Sequence, residues 1–294
     1  MSTKQINWLM FYSLVFMWGT SFLVTSVAVD QFTPIQISSM RITLGAIILL
    51  VAARIRGRQL PRDLRSWSYL ALFGIMGNAL PFFLISWGQQ SVSSGTTGVL
   101  MAFMPLITMI LAHYFIANET LNRYKIMGCC LSFCGVALLL GPQIEGSHSM
   151  IAQLAIFCAA ASYAANTILI RKLPKFDPLV GGAGMLLVAS ALSVPIALYQ
   201  GFDNLTAPSS GAIYAIIWLG VVPTGIASIL YFSLVERAGP SFISNVNYLI
   251  PVLAFFSGIV LLDEDVTWLS LLSVAVILSG IALTRKPVRA KVSL

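Results

Sequence analysis

The sequence predicts an all-α membrane protein, with ten transmembrane helices arranged as two inverted five-helix repeats and both termini cytoplasmic. Three observations predict it. Hydrophobic residues make up 58% of the 294 and charged ones only 9%, whereas a soluble domain carries about 25% charged residues, so the surrounding solvent must be largely lipid. Basic residues crowd into alternate loops. A set of Gly, Pro and Asn positions also recurs in the second half at a near-constant offset.

A helix needs about 20 mainly apolar residues to cross a bilayer. The first such stretch, 7–28, follows a short polar N-terminus without a small-residue cleavage site, and reads as a retained helix rather than a signal peptide. Span two covers 34–53 and ends at an arginine-rich loop. Spans three and four, 67–87 and 95–116, are joined through Gln89; span five covers 124–141. The second half repeats the plan at 150–170, 178–199, 211–233, 241–262 and 267–284. The connections are short and leave no room for a separate soluble domain.

The charges fix the threading. Arg54, Arg56, Arg58, Arg62 and Arg65 follow span two, Arg123 and Lys125 span four, Arg171, Lys172 and Lys175 span six, and Arg237 span eight. Lys4 precedes span one, and Arg285, Lys286, Arg289 and Lys291 follow span ten. The intervening loops, around Asp30, Gln89, Glu145, Asp203 and Glu264, hold no Lys or Arg, so sixteen of the seventeen basic residues share one side. By the positive-inside rule that side is the cytoplasm. The net charge of +7 therefore reports topology rather than an anionic partner, and nucleic-acid binding is excluded.

The repeat is colinear over most of the chain. Gly74, Gly77, Asn78 and Pro81 recur as Gly220, Pro223, Thr224 and Ala227 at an offset of 146, as Pro105 does at Pro251. Glu119 and Gly135 recur as Glu264 and Gly280 at 145, and Pro34 as Pro178 at 144. Two halves of five spans each, 7–141 and 150–284, must cross the membrane in opposite directions. The basic loop after span four and the acidic Asp263-Glu264-Asp265 after span nine fit that inversion. Inverted repeats recur in secondary transporters because two similar halves can expose a midplane site alternately to each side.

These residues carry a resemblance. Trp18-Gly19-Thr20-Ser21-Phe22 in span one, Pro34 and Arg41 in span two, then Pro105, Glu119, Gly128 and Gly135, and again Pro251, Glu264 and Gly280, resemble the EamA-type branch of the drug/metabolite transporter superfamily. The resemblance covers nearly the whole chain. It implies a central cavity lined by spans one to four and six to nine, with spans five and ten peripheral. It also implies transport of amino acids, other metabolites or drugs, mostly outward. The second half departs from the first at Arg41, whose counterpart is Met185, so the half-sites are not equivalent.

Helical spacing nominates the cavity residues, since positions three or four apart share a face. Span three aligns Gly74, Gly77, Asn78, Pro81, Ile85 and Gly88; span eight aligns Gly220, Pro223, Thr224, Ala227 and Tyr231. Close helix packing explains such small-residue stripes equally well. Asn78 and the prolines favour a cavity, because freed backbone groups at membrane depth are tolerated where protein or water satisfies them. Span nine presents Ser241, Ser244, Asn245 and Tyr248 on one face, with Asn247 and Pro251 beside it; span six presents Ser162, Tyr163 and Asn166. Interhelical hydrogen bonding is the alternative use of these groups. In span one Trp18 and Ser21 share a face with Thr25, and Trp18 lies too deep for an interfacial anchor.

Arg41 is the sharpest single feature, seven residues into span two and about 10 Å deep. It can snorkel to the outer surface, or its planar fork can bind a carboxylate. The candidate solute-binding set is therefore Trp18, Ser21, Arg41, Asn78, Tyr163, Asn166, Tyr231, Asn245 and Tyr248, with Pro81, Pro105, Pro223 and Pro251 as helix-breaking or gating positions. His113 reads as a packed or interface-reaching histidine more than a proton shuttle, His148 as a loop residue. The cysteines Cys129, Cys130, Cys134 and Cys158 read as small core residues.

The expected partners are a small-molecule solute and the lipid bilayer of the inner membrane; a homodimer is an open arrangement. No cofactor or metal is called for. An intramembrane enzyme would need a nucleophile, paired aspartates or a metal cluster at depth, and no carboxylate lies deep in any span. A channel, a receptor and a drug-efflux carrier are the alternatives to a metabolite exporter working by alternating access. The scarcity of deep acidic residues argues against cation pumping and for an amino acid or a similar zwitterion or anion.

Overall fold

The computed structural model describes residues 2–117, 119, 121–140, 147–201, 208–239, 242, 246–262 and 267–284, without the side chains of 136, 137, 139, 140, 147–149, 248, 251 and 284. The elements among the described residues are helical. They are α1 (Thr3–Val29), α2 (Pro34–Ile55), α3 (Leu64–Gly88), α4 (Ser94–Phe115), α5 (Arg123–Leu140), α6 (Ser147–Lys172), α7 (Pro178–Gln200), α8 (Ser210–Ala238), α9 (Val246–Leu262) and α10 (Trp268–Thr284). Seven of them, α1–α4 and α6–α8, are long and apolar enough to cross a membrane, whereas the apolar parts of α9 and α10 are shorter.

Caps set the ends more than hydropathy does. α1 starts before the apolar stretch because Ser2 and Gln5 form a reciprocal capping box, and Thr33 with Gln36 does the same for α2. Asp63 accepts from the Ser66 amide at 2.7 Å and so starts α3 ahead of residue 67. α7 ends on Gly201, whose φ of 76° few other residues adopt without strain.

Two helices carry a wide turn at matching places. In α3 the Ile75–Ala79 segment is π-helical, with the Leu80 amide bonded to the Ile75 carbonyl. In α8 it is Gly220–Ile226, with the Ala227 amide bonded to the Val222 carbonyl. Proline has no N–H and its ring crowds the preceding turn, so Pro81 and Pro223 account for the loosened ladder at both places. α4 breaks at Ala102–Phe103 and resumes at Met104, just before Pro105.

Packing sorts the helices into close pairs, chiefly α5 with α10, α2 with α7, α1 with α9 and α3 with α6. The α5–α10 seam is made of small residues. A side chain on Gly135 would meet Ile277 and the Ser273 carbonyl, and one on Gly280 would meet Ser132 and the Gly128 carbonyl. These positions exchange under the offset of 145 seen in the sequence repeat. Ser132 Oγ adds a hydrogen bond to the Ile277 carbonyl at 3.2 Å.

The two ends of the bundle are tied differently. Beside the basic loops lie the ion pairs Arg58–Asp177 and Arg171–Glu119, both 3.3 Å, and Arg237 donates to Asn7 at 3.1 Å. At the other end the ties are neutral. Gln31 donates to Ser209 and Thr33 to Gln200, both at 2.9 Å, and Gln36 donates to the Gly201 carbonyl at 3.0 Å.

One expectation about burial is corrected. Cys129 is buried, but Cys130, Cys134 and Cys158 are exposed; they sit on the outward faces of α5 and α6, where an apolar thiol meets lipid as readily as core. His113 is also exposed, with Nδ1 3.0 Å from the Glu119 carbonyl oxygen.

Candidate binding cavity

Between α1, α2, α3, α4, α6, α8 and α9 lies a partly open cavity of about 350 Å³. Of the nine residues nominated from spacing, Trp18, Ser21, Arg41, Asn78, Tyr163, Asn166 and Tyr231 line it. Asn245 lies outside the described residues, as do the side chains of Tyr248 and Pro251. From the same stretch of the chain, Asn247 reaches the cavity wall. Pro105 and Pro223 also line it, while Pro81 sits just past the wide turn of α3 and is not among the lining residues.

Arg41 does not snorkel. It is only 6% exposed. Its Nε donates to Thr224 Oγ1 at 2.9 Å, and its guanidinium carbon stands 3.9 Å from the centre of the Phe82 ring. Thr224 in turn donates to the Leu219 carbonyl at 2.7 Å, so one hydroxyl serves both the arginine and the wide turn of α8. Gly45, one turn along α2 from Arg41, keeps the backbone close, since a side chain there would collide with Thr224 Cγ2. Among the described residues no carboxylate pairs with Arg41. A buried charge without a counter-ion is expensive, and such residues are rare in apolar spans.

The wide turns leave carbonyls to be satisfied from neighbouring helices, and one side chain from another helix does this at each turn. Trp18 Nε1 donates to the Pro223 carbonyl at 3.0 Å. Ser162 Oγ donates to the Met76 carbonyl at 2.7 Å. Trp18 also packs against Tyr231, with ring centres 5.8 Å apart, and Phe82 against Tyr163 at 6.4 Å.

Asn78 and Asn166 are left partly unsatisfied. Asn78 Nδ2 and Asn166 Oδ1 are buried without a hydrogen-bond partner. The Asn166 amide lies against Gly77, where any side chain would strike it. For Gly74, Gly88 and Gly220 the packing explanation holds: they touch Met185, Ile156 and Leu44 respectively.

Sequence reasoning left the roles of three residues unread. Thr224 was visible on the stripe of span eight and as the counterpart of Asn78, but nothing marked it as the acceptor for Arg41. Phe82 gave no polar signal, although it lies four residues past Asn78 on the same stripe. Ser162 was noted for its face and not for the carbonyl it caps.

The architecture is that of a polytopic helical membrane protein with a mainly apolar cavity between its helices, carrying several neutral polar groups and, among the described residues, the single charge of Arg41. Residues 6–141 and 150–286 each match the EamA-like transporter family, and the chain belongs to it. It is therefore a membrane transporter. It is similar to the uncharacterized transporter YoaV of Bacillus subtilis, at 27% identity across 92% of this chain and 93% of that one. The uncharacterized inner membrane transporter YedA of Escherichia coli is 24% identical, across 92% and 88%. A protein of Streptantibioticus cattleyicolor described as a "probable terminal-alkyne amino-acid exporter" is also 24% identical, across 97% and 95%. A crystal structure sharing 20% identity superposes with a TM-score of 0.69 over 96% of this chain and 97% of the other, which shows the fold alone.

Proposed function

We propose that this transporter exports a small organic solute bearing a carboxylate, an amino acid or a similar zwitterion or anion, by alternating access across the inner membrane. In this reading ten spans form two inverted halves, 7–141 and 150–284, with both termini in the cytoplasm. The halves rock about a site formed by Trp18, Ser21, Arg41, Asn78, Tyr163, Asn166 and Tyr231, to which Asn245 and Tyr248 are added from span nine. Arg41 takes the carboxylate, the asparagines take further polar groups, and the aromatic rings contact the apolar part. The wide turns at Ile75–Ala79 and Gly220–Ile226, with Pro81, Pro105, Pro223 and Pro251, supply the places where helices bend.

One observation carries the proposal: Arg41 is buried at the wall of the cavity without a carboxylate beside it among the described residues. Support for the midplane site also comes from the paired cross-helix hydrogen bonds at the two wide turns. The carrier named for amino-acid export among the relatives supports the solute class and the direction. The test is counterflow in vesicles containing the purified protein. Saturable exchange of a labelled carboxylate solute, abolished in Arg41→Ala and not restored in Arg41→Lys, is the expected result. Non-saturating flux without counterflow would mean a pore, and unchanged transport in both variants would remove Arg41 from the site.

A further inference from the structure

We propose that the cavity selects solutes whose carboxylate is their only charge, monoanions carrying a neutral hydroxyl or amide nearby, over zwitterionic amino acids. This rests on the transporter reading above and narrows it to one charge class of cargo.

The argument is a balance of charge. Arg41 brings one positive charge to the cavity, and the other polar groups on its walls are hydroxyls, amides and an indole. No aspartate or glutamate lines it among the described residues. A carboxylate seated on Arg41 makes the loaded cavity neutral. A zwitterion brings an ammonium group as well, and this finds no anion to pair with. Burying an unpaired charge is strongly unfavourable. The Phe82 ring is not open to that ammonium, because Arg41 already occupies its face at 3.9 Å.

The neutral part of the cargo is read by the other half-site. Thr224 and Asn78 are counterparts in the repeat. Thr224 is engaged by Arg41, whereas the counterpart of Arg41 is Met185, which offers Asn78 no charged or strongly polar side chain. Asn78 Nδ2 is left as a buried donor without an acceptor, and Asn166 Oδ1 as a buried acceptor without a donor. Both residues are more than nine-tenths buried and line the cavity. A hydroxyl both accepts and donates, which are the two roles these atoms leave open. The two repeat-related half-sites, Arg41 with Thr224 and Asn78 beside Asn166, have thus become a charge-reading one and a neutral one.

The experiment uses the full chain in lipid vesicles and measures counterflow of matched probes at three sizes, corrected for protein-free vesicles. The sets are glycolate, glycine and glycinamide; lactate, alanine and alaninamide; and 2-hydroxy-4-methylpentanoate, leucine and leucinamide. At the best-fitting size the hydroxy acid is expected to exchange about tenfold faster than its amino acid, with the amide at background. Arg41→Gln, checked for a monodisperse fold, is expected to erase that preference. A zwitterion exchanging as fast as its hydroxy acid overturns this inference and leaves the carboxylate carrier intact. The same holds for a zwitterion flux that appears only when chloride is present, since chloride is then the counter-ion of Arg41. A cationic amide that exchanges fastest, or silence from every probe, overturns both readings. Preference retained in folded Arg41→Gln overturns the charge argument alone.

Discussion

Trp18 and Pro223 meet across α1 and α8, the indole N–H donating to the proline carbonyl at 3.0 Å. Ser162 and Met76 make the corresponding contact between α6 and α3 at 2.7 Å. Trp18 and Ser162 are separated by the offset of 144 that also relates Pro34 to Pro178. Each wide turn is therefore held by a side chain from the opposite half of the sequence.

Trp18→Phe keeps a large ring and deletes the donor. It is expected to lower unfolding stability by about 1–2 kcal/mol, because the Pro223 carbonyl is left buried without a partner. Ser162→Ala should cost a similar amount. Thermal unfolding of the purified variants checks both. A Trp18→Phe protein as stable as the parent would show that the carbonyl finds another donor.

Thr224→Val removes a hydroxyl at nearly constant volume. Arg41 then loses its acceptor and the Leu219 carbonyl its donor. Exchange should fall by about tenfold or more, since hydrogen bonds to charged groups contribute about 1.5–3 kcal/mol. Thr224→Ser should retain most of the rate. Equal rates in the two variants would remove the hydroxyl from the account.

Gly77→Ala and Gly280→Ala separate the site from the scaffold. At Gly77 the new methyl strikes the Asn166 amide, and at Gly280 it strikes Ser132. Overpacking of this kind costs about 1–3 kcal/mol in stability. Only Gly77→Ala is expected to raise KM as well, because only Gly77 touches a cavity residue. Initial-rate kinetics on folded variants tell them apart.

Asp63 gives a pH signature outside the membrane. Its carboxylate accepts from Ser66, which holds its pKa below the ordinary 3.8. A depressed carboxyl stabilises the folded cap at pH above its unfolded value and loses that effect as pH falls through the folded one. Amide exchange at Ser66 should therefore stay protected at neutral pH and rise selectively below about pH 3.8. Asp63→Asn is expected to flatten this dependence.

Much of the fold was legible because lipid imposes coarse rules on sequence. Apolar length marked the helices, and the seven that are long enough stand where the reading placed them. Their ends were less legible: capping by Ser2 and Asp63 depends on single side chains rather than on hydropathy. For the site, spacing on α3, α6 and α8 was sufficient to nominate Asn78, Asn166 and Tyr231, because buried polar groups must face something other than lipid. The partner of Arg41 was not legible, since a threonine hydroxyl carries no charge complement. Nor was the exposure of Cys130, Cys134 and Cys158, because a thiol suits core and acyl chains alike.

The unequal fastening of the two ends has a practical consequence. Ionic strength screens exposed charges over about 10 Å at 0.1 M and barely affects neutral donors and acceptors. Added salt therefore acts on the Arg58–Asp177 and Arg171–Glu119 end and spares the Gln31–Ser209 and Thr33–Gln200 end. Each exposed pair is worth at most about 1 kcal/mol, so the response is graded. Electrolyte concentration becomes a dial that loosens one mouth of the bundle and leaves the other fastened.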